Sequence, residues 1–347
     1  MGKNNNITYG LGYQGSKNAI AWQIVNRLPS NDTLVDLFCG GGAITHCAMA
    51  PHDRFQDHYG RFKNYIMNDV NSLIVKAVKM AFNGEFKNET RWISRKEFKE
   101  LKDTDPYAAI CFSYSNGLNT YLYGEGDTEK TKKALHYAIV FNNWSYFRHI
   151  FSKEITHSAK ELLEGITDLQ ARRTRLCLFL EKTLKQEAHV QNLENLARLQ
   201  RMQMLARVQH MERIKRLEHM ECNDDKIQYY STDYRNVPIP PNSTVYCDIP
   251  YKDTGEYKAV GSFDHDAFYE WALSRDFPVF VSEYNMPDTF TCLYKVKKNA
   301  LFSSQGTTGK KDEGLYVQNK FAKLYENPTK YKEVDMFAQL EKEENKQ

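Results

Sequence analysis

The chain of 347 residues is long enough for one large domain or two modest ones. With 41% hydrophobic and 26% charged residues, and no run of about 18 apolar positions, it reads as a globular protein without a membrane-spanning helix. A formal net charge of +3 names no partner by itself, so the local distribution of charge matters more.

Met1 to Asn6 carry no apolar run of the kind a signal peptide needs. Thr33–Cys39 (TLVDLFC) is a short, partly β-branched apolar run that ends in Gly40-Gly41-Gly42 and continues as AITHCAM. That is strand, glycine turn and helix. Tyr65–Asn68 reads as the next strand, and Asn71–Phe82 as a helix with Asn71 as its cap. Helices and aromatic loops fill 85–158. Farther on, Thr244–Cys247 and Pro278–Ser282 read as buried strands and Asp264–Arg275 as an amphipathic helix with an acidic first turn. A last strand is expected within Leu315–Tyr325, and the charged tail, 327–347, reads as solvated.

Residues 159–225 stand apart, being almost free of Gly and Pro and rich in Leu, Glu, Arg, Gln and Met. From Val190 to Met220 a large apolar residue falls at every third position. A step of three turns back by about 60° on an α-helix, so the apolar groups wind around the cylinder. Either a helix buried on several sides or a repeat-like structure satisfies this pattern.

The seven cysteines (39, 47, 111, 177, 222, 247 and 292) form no CxxC pair, and no HExxH appears. They read as reduced thiols of a cytoplasmic protein, with no metal site. His210 and His219 read as isolated surface residues.

Two constellations carry chemistry. In the first, glycines after the strand that holds Asp36 let a ligand approach the backbone, and Asp69 at the end of the next strand can accept both hydroxyls of a ribose. In the second, Asp248-Ile249-Pro250-Tyr251 directly follows a strand. The Asp248 carboxylate and the Ile249 carbonyl can accept the two N–H bonds of an aromatic amine, Pro250 keeps Ile249 extended, and the Tyr251 ring can stack on a base. Taken singly, the glycine run is as often a tight turn only, and Asp-x-Pro-Tyr is a turn in most proteins.

Together and in order, residues 9–84 and 226–325 resemble the Dam-like, D12 class of adenine-N6 DNA methyltransferases. Tyr13-Gln14-Gly15-Ser16-Lys17 is similar to the opening motif, in which the lysine holds the cofactor carboxylate and the aromatic lines its pocket. Asp36 to Gly42 resembles DxFxGxG, and Asn68-Asp69-Val70-Asn71 resembles NDxN. Asp233-Tyr234 stands where the class has an Asp-aromatic pair beside the cofactor adenine, DIPY stands for DPPY, and Phe280–Asn285 (FVSEYN) resembles a segment of phage-associated members. Ile249 in place of the first proline keeps the carbonyl but loses rigidity.

The resemblance implies an α/β, Rossmann-like class I S-adenosylmethionine-dependent methyltransferase. Residues 1–84 and 226–326 would form a discontinuous catalytic domain, 85–158 a mostly helical target-recognition domain, and 159–225 an extra Leu/Met-rich insert. It implies S-adenosylmethionine as cofactor, held by Tyr13, Gly15, Lys17, Asp36, Phe38, Gly40, Gly42, Asp69, Asp233 and Tyr234. It implies double-stranded DNA as partner, with a flipped-out adenine at Asp248, Ile249, Pro250 and Tyr251. Within Cys111–Gly124 the residues expected to touch DNA are Ser113, Tyr114, Asn116 and Asn119. Lys298, Lys310 and Lys311 lie in a second basic cluster that suits the backbone. The basic residues between Arg172 and Arg216 suit phosphates or an ordinary solvated face equally. RNA or protein-amide methylation, and a DNA-binding homologue without activity, are the competing readings.

Overall fold

The computed structural model describes residues 8–12, 15–50, 62–114, 118–190, 208–222, 224–251, 263–297 and 312–325. The chain divides into two compact units, residues 1–11, 15–82 and 222–347 in the first and 12–14 and 83–221 in the second. In chain order the helices are α1 (Ala21–Val25), α2 (Ala43–Met49), α3 (Ser72–Phe82), α4 (Arg95–Leu101), α5 (Pro106–Phe112) and α6 (Asp127–Phe141). They continue as α7 (Lys153–Leu162), α8 (Leu169–Val190), α9 (Gln209–Glu218), α10 (His265–Leu273) and α11 (Asn319–Ala322).

The first unit is built on strands β1 (Thr33–Asp36), β2 (Asn64–Asn68), β3 (Ile227–Tyr230), β4 (Ser243–Cys247), β5 (Val279–Glu283), β6 (Phe290–Lys297) and β7 (Asp312–Gln318). They form one sheet in the order β3-β2-β1-β4-β5-β7-β6. Neighbours among β1 to β5 pair in parallel, and β7 runs antiparallel to both β5 and β6. Every residue of β1 and β5 is buried, which is why these strands read as unbroken apolar runs and not as alternating ones. Val35, Val245, Val279 and Val281 of the sheet share a core with Phe268 and Ala272 of α10.

The expected strands and helices recur with ends moved by one to three residues, the largest shift being β1, which stops at Asp36 and not at Cys39. Asn71 caps α3 as expected, its Oδ1 accepting from the Leu73 amide at 3.1 Å. Asp264 caps α10, accepting from the Ala267 amide at 3.0 Å. The last expected strand differs: β7 starts at Asp312, stops at Gln318 and leads into α11. Strand β6 was not expected at all. It is legible afterwards as the β-branched and aromatic run FTCLYKVK, whose partner β7 follows in the sequence.

The strand order reverses between β1 and β4. The chain leaves β1 toward β2 on one side and β4 toward β5 on the other, so their carboxyl ends lie at the switch point of the strand order, where ligands of open α/β sheets bind.

The second unit is helical. Ser94 and Glu97 make a reciprocal capping box at α4, and Asp105 caps α5, which has proline at its first position. Its core joins Leu135 and Ile139 of α6 to Leu176 and Leu180 of α8 and to Val208 and Met211. The described part of 159–221 shares one core with residues of 85–158. The change in composition there marks the long helix α8. Met211, Ile214, Leu217 and Met220 are all buried, and so is His210, so the threefold spacing around α9 belongs to a helix covered on several sides. Residues 191–207, where the pattern begins, lie outside the described residues. No described helix is long and apolar enough to cross a membrane.

Candidate active site and nucleic-acid interface

At the carboxyl end of β1 the chain turns through a loop that depends on glycine. Gly40 and Gly42 have φ of 46° and 73°, left-handed values that side chains disfavour. A Cβ on Gly42 would also lie 3.0 Å from Met67 and Val78 side-chain atoms. The loop is tied to β2: the Cys39 amide donates to the Asn68 carbonyl at 2.8 Å, and the Gly40 amide to Asp69 Oδ2 at 3.0 Å. Asp69 Oδ1 accepts from the Asn71 amide at 2.9 Å. Burial raises the Asp69 pKa, and these two N–H bonds oppose the rise. Each carboxylate oxygen retains a second lone pair for a further donor.

Asn68, which the sequence reading quoted but gave no role, stitches three strand ends together. Its amide donates to the carbonyls of Leu37 (3.0 Å) and Thr232 (3.1 Å), and its oxygen accepts from the Thr232 amide (3.1 Å). The segment before Lys17 docks on the same loop, with the Leu11 amide donating to the Gly41 carbonyl at 2.7 Å.

Asp36 is 1% exposed. Its Oδ2 accepts from the Thr45 hydroxyl at 3.0 Å, whereas Oδ1 has no hydrogen-bond partner among the described residues. Burial pushes its pKa up to about 8; the Thr45 bond opposes this, and the Asp248 and Asp69 charges add to it. A buried carboxyl in this condition suits a ligand that brings a cation or an N–H donor. Phe38 forms an aromatic wall with Tyr234, at 5.3 Å between ring centroids, and Phe268, at 5.8 Å. Tyr234 is itself buried against Trp271. Both carboxylate oxygens of Asp233 are taken by the Arg235 guanidinium, each at 2.7 Å, a pairing the sequence did not announce. Gly15 has φ of 79°, while Tyr13 lies outside the described residues.

At the carboxyl end of β4 stands Asp248. Lys17 Nζ lies 2.6 Å from Asp248 Oδ1 and 3.2 Å from Glu313 Oε1, and 4.5 Å above the Tyr251 ring. Lys17 is almost fully buried. Burial acts to lower its pKa, but the charges and hydrogen bonds of Asp248 and Glu313 outweigh that and raise it, so it is an ammonium. The Tyr251 phenol is held above its ordinary range by burial first, then by the Asp248 and Glu313 charges, and its ring meets Tyr284 edge-on at 4.5 Å. Ile249 is buried in the sheet core, which explains an aliphatic side chain where the class has proline. The Pro250 carbonyl accepts from His265 Nε2 at 2.7 Å, anchoring the turn to the start of α10. Glu313, Tyr284 and His265 were not among the expected site residues. Glu313 stands with Asp312 ahead of the apolar residues of β7, so no local pattern marked it as a buried acid.

In the second unit Ser113 and Tyr121 form an antiparallel bridge, and the Tyr114 amide donates to the Thr120 carbonyl at 2.5 Å, so residues 113–114 and 120–121 run side by side. Tyr114 is 62% exposed and Asn119 is exposed, whereas the Ser113 side chain is buried and out of reach of a macromolecule. Asn116, Lys298, Lys310 and Lys311 lie outside the described residues. Part of the basic set between 172 and 216 is structural. Arg172 donates to the carbonyls of Ala138, Ile139, Leu163 and Ile166 and to Asn142 Oδ1. Arg213 donates to the carbonyls of Ile110, Cys111 and Ser113, and Arg173 pairs with Glu212. Arg198, Arg201 and Arg207 lie outside the described residues. Among the described residues no group of three or more His, Cys, Asp or Glu side chains is placed to hold a metal ion.

A parallel sheet with one reversed strand, a glycine loop and acids at its switch point, and an Asp-x-Pro-Tyr turn beside them define a class I, Rossmann-like methyltransferase. The family model described as D12 class N6 adenine-specific DNA methyltransferase matches residues 13–276, and the chain belongs to that family. No curated protein matches the chain.

Proposed function

We propose that this enzyme transfers a methyl group from S-adenosylmethionine to N6 of an adenine turned out of double-stranded DNA. The observation that carries the reading is the placement of the Asp36–Asp69 glycine loop and the Asp248–Tyr251 turn at the ends of adjacent strands, on the two sides of the switch point. The residues present fit the cofactor: Asp36 Oδ1 is buried without a hydrogen-bond partner among the described residues, and Asp69 is fixed with lone pairs to spare. Asp36 would take the amino group of the methionine moiety, Asp69 the ribose hydroxyls, Phe38 and Tyr234 the wall beside the adenine, and Gly40 and Gly42 the close backbone approach. When bound, S-adenosylmethionine supplies a methyl group made electrophilic by its sulfonium.

Asp248 and the Ile249 carbonyl accept the two N–H bonds of the substrate amine, which draws electron density onto the nitrogen and aims its lone pair. Tyr251 offers its ring to the base, and the fixed Pro250 carbonyl keeps the turn from relaxing. As the new N–C bond forms, the amine gives up one proton, and Asp248 is the acceptor in reach. Tyr114 and Asn119 at the exposed loop are the described side chains offered to DNA.

Incubation with S-adenosylmethionine labelled in the methyl group and separate DNA, RNA and protein substrates tests this. Label in DNA as N6-methyladenine, lost in Asp248→Ala, is expected. Label confined to RNA or protein, or DNA binding without transfer, would overturn it.

A further inference from the structure

Lys17 is buried between two carboxylates, and only Asp248 belongs to the catalytic turn. The second, Glu313, is 1% exposed on β7 and lies beyond the residues 13–276 that the family model covers. Its place on the strand is sterically prepared. The next residue is Gly314, over which the Tyr316 ring lies so closely that a Cβ would come within 2.3 Å of it, and the Tyr316 hydroxyl donates to the Tyr284 carbonyl at 3.1 Å. Tyr284 in turn meets the Tyr251 ring. Strand β7 thus holds both an acid and an aromatic support against the turn.

A buried lysine with one carboxylate makes a neutral pair. If Lys17 served Asp248 alone, it would compensate most of the charge that the turn needs, because a carboxylate saturated by an ammonium at 2.6 Å is a weaker acceptor for an amine. With Glu313 at 3.2 Å the three donors of the ammonium are shared. The cluster then carries one net negative charge when both acids are ionised. Positive charge grows on the substrate nitrogen as it takes up the methyl group, and a fixed negative cluster lowers the energy of that state more than the state before it.

We propose that Glu313 is a positioning residue for methyl transfer: it shares the Lys17 ammonium with Asp248, so that the cluster keeps a net negative charge where Asp248 accepts the substrate amine. This rests on the methyl-transfer reading above. Glu313 acts through Lys17 and through its side-chain hydrogen bond with Tyr251. Its contribution is therefore to turnover, with cofactor affinity left in place.

The test uses the full-length enzyme, unmethylated fragmented genomic DNA and S-adenosylmethionine carrying a tritiated methyl group. Glu313→Gln preserves volume and removes the charge. Its maximal transfer rate is expected to fall by about 10- to 100-fold, with the cofactor dissociation constant and the KM for DNA within about twofold of wild type. Glu313→Asp keeps the charge at a greater reach and is expected to recover part of the rate. A Glu313→Gln enzyme that turns over like wild type overturns the proposal, as does one whose whole loss lies in cofactor binding. If Glu313→Gln does not fold, Glu313→Asp decides alone: lowered turnover at unchanged cofactor affinity supports the role, and wild-type turnover removes it. A wild-type enzyme that labels no DNA would instead defeat the underlying reading.

Discussion

His136 Nδ1 and His210 Nε2 lie 2.8 Å apart in the interior of the helical unit. The outer contacts fix the protons between them. His136 Nε2 faces the Thr90 carbonyl at 3.0 Å, which can only accept, so that nitrogen carries the hydrogen. Its Nδ1 therefore accepts from His210 Nε2, and His210 Nδ1 accepts from the Tyr123 hydroxyl at 2.7 Å. With the Tyr123 hydroxyl as donor, the chain closes with both rings neutral. A second proton on His136 turns its Nδ1 into a donor facing the His210 Nε2–H.

Acid should therefore weaken this unit. Burial depresses the His136 pKa to about 4, with the Thr90 bond opposing, and His210 is also lowered, by burial first and then by His136, Lys132, Arg213 and Arg173. A histidine with a depressed folded-state value contributes stability that is complete above its unfolded value of about 6.5 and is lost as pH falls toward about 4, roughly 3 kcal/mol for His136. Thermal melts followed through Trp92, whose ring lies 5.5 Å from His136, are expected to show a falling Tm across that window. The difference in Tm between wild type and His136→Asn should shrink over the same range. A constant difference would remove the histidine chain as the cause.

Asp36 predicts the opposite slope in the cofactor-free enzyme. Its folded-state pKa is raised to about 8, so its contribution is complete below the unfolded value of about 3.9 and is lost as pH rises through about 8. Asp36→Asn should thus raise the Tm of the free enzyme most at mildly alkaline pH and hardly at all near about pH 4. The same variant should bind S-adenosylmethionine at least tenfold more weakly by calorimetry, because an amide cannot pair with a cation.

Gly10 tests the docking of the amino-terminal segment. Its φ is +65°, and a Cβ there would lie 2.6 Å from the Ala43 nitrogen and the Gly41 oxygen, both backbone atoms that cannot step aside. Gly10→Ala is expected to cost about 2 kcal/mol or more and to weaken cofactor binding, since the Leu11–Gly41 hydrogen bond must open. Gly165, with φ +72° and no described atom within 4 Å of an added Cβ, is the control: Gly165→Ala carries only backbone strain of about 1 kcal/mol. Equal costs for the two would contradict the steric account.

Arg172 separates a structural cation from a phosphate contact. Its guanidinium satisfies carbonyls in the last turn of α6, where the unpaired acceptors and the negative end of the helix both favour a cation. Arg172→Ala should destabilise by about 2 to 4 kcal/mol in urea titrations. It should leave the salt dependence of DNA binding unchanged, whereas loss of a phosphate contact would lower that slope by about one unit.

The motifs of the site and most of the elements that carry them were legible along the chain. A parallel strand buried on both faces needs a continuous apolar run, a left-handed turn needs glycine, and a helix start needs a capping acceptor, so TLVD, Gly40 to Gly42, Asn71 and Asp264 declared themselves locally. Strand β6, the reversed β7 and the company that Lys17 keeps were decided by tertiary structure. Lys17, Asp248 and Glu313 come from three distant parts of the chain, and nothing in their local sequence states that sheet closure brings them within an ion pair of one another. His210 shows the same limit: a polar residue in a charged helix reads as solvated until its partners, Tyr123 and His136, arrive from elsewhere to replace water. Local backbone chemistry and burial pattern write themselves into sequence because each residue bears its own cost. Pairings between buried polar groups do not, because the energy resides in the meeting of residues that only the fold brings together.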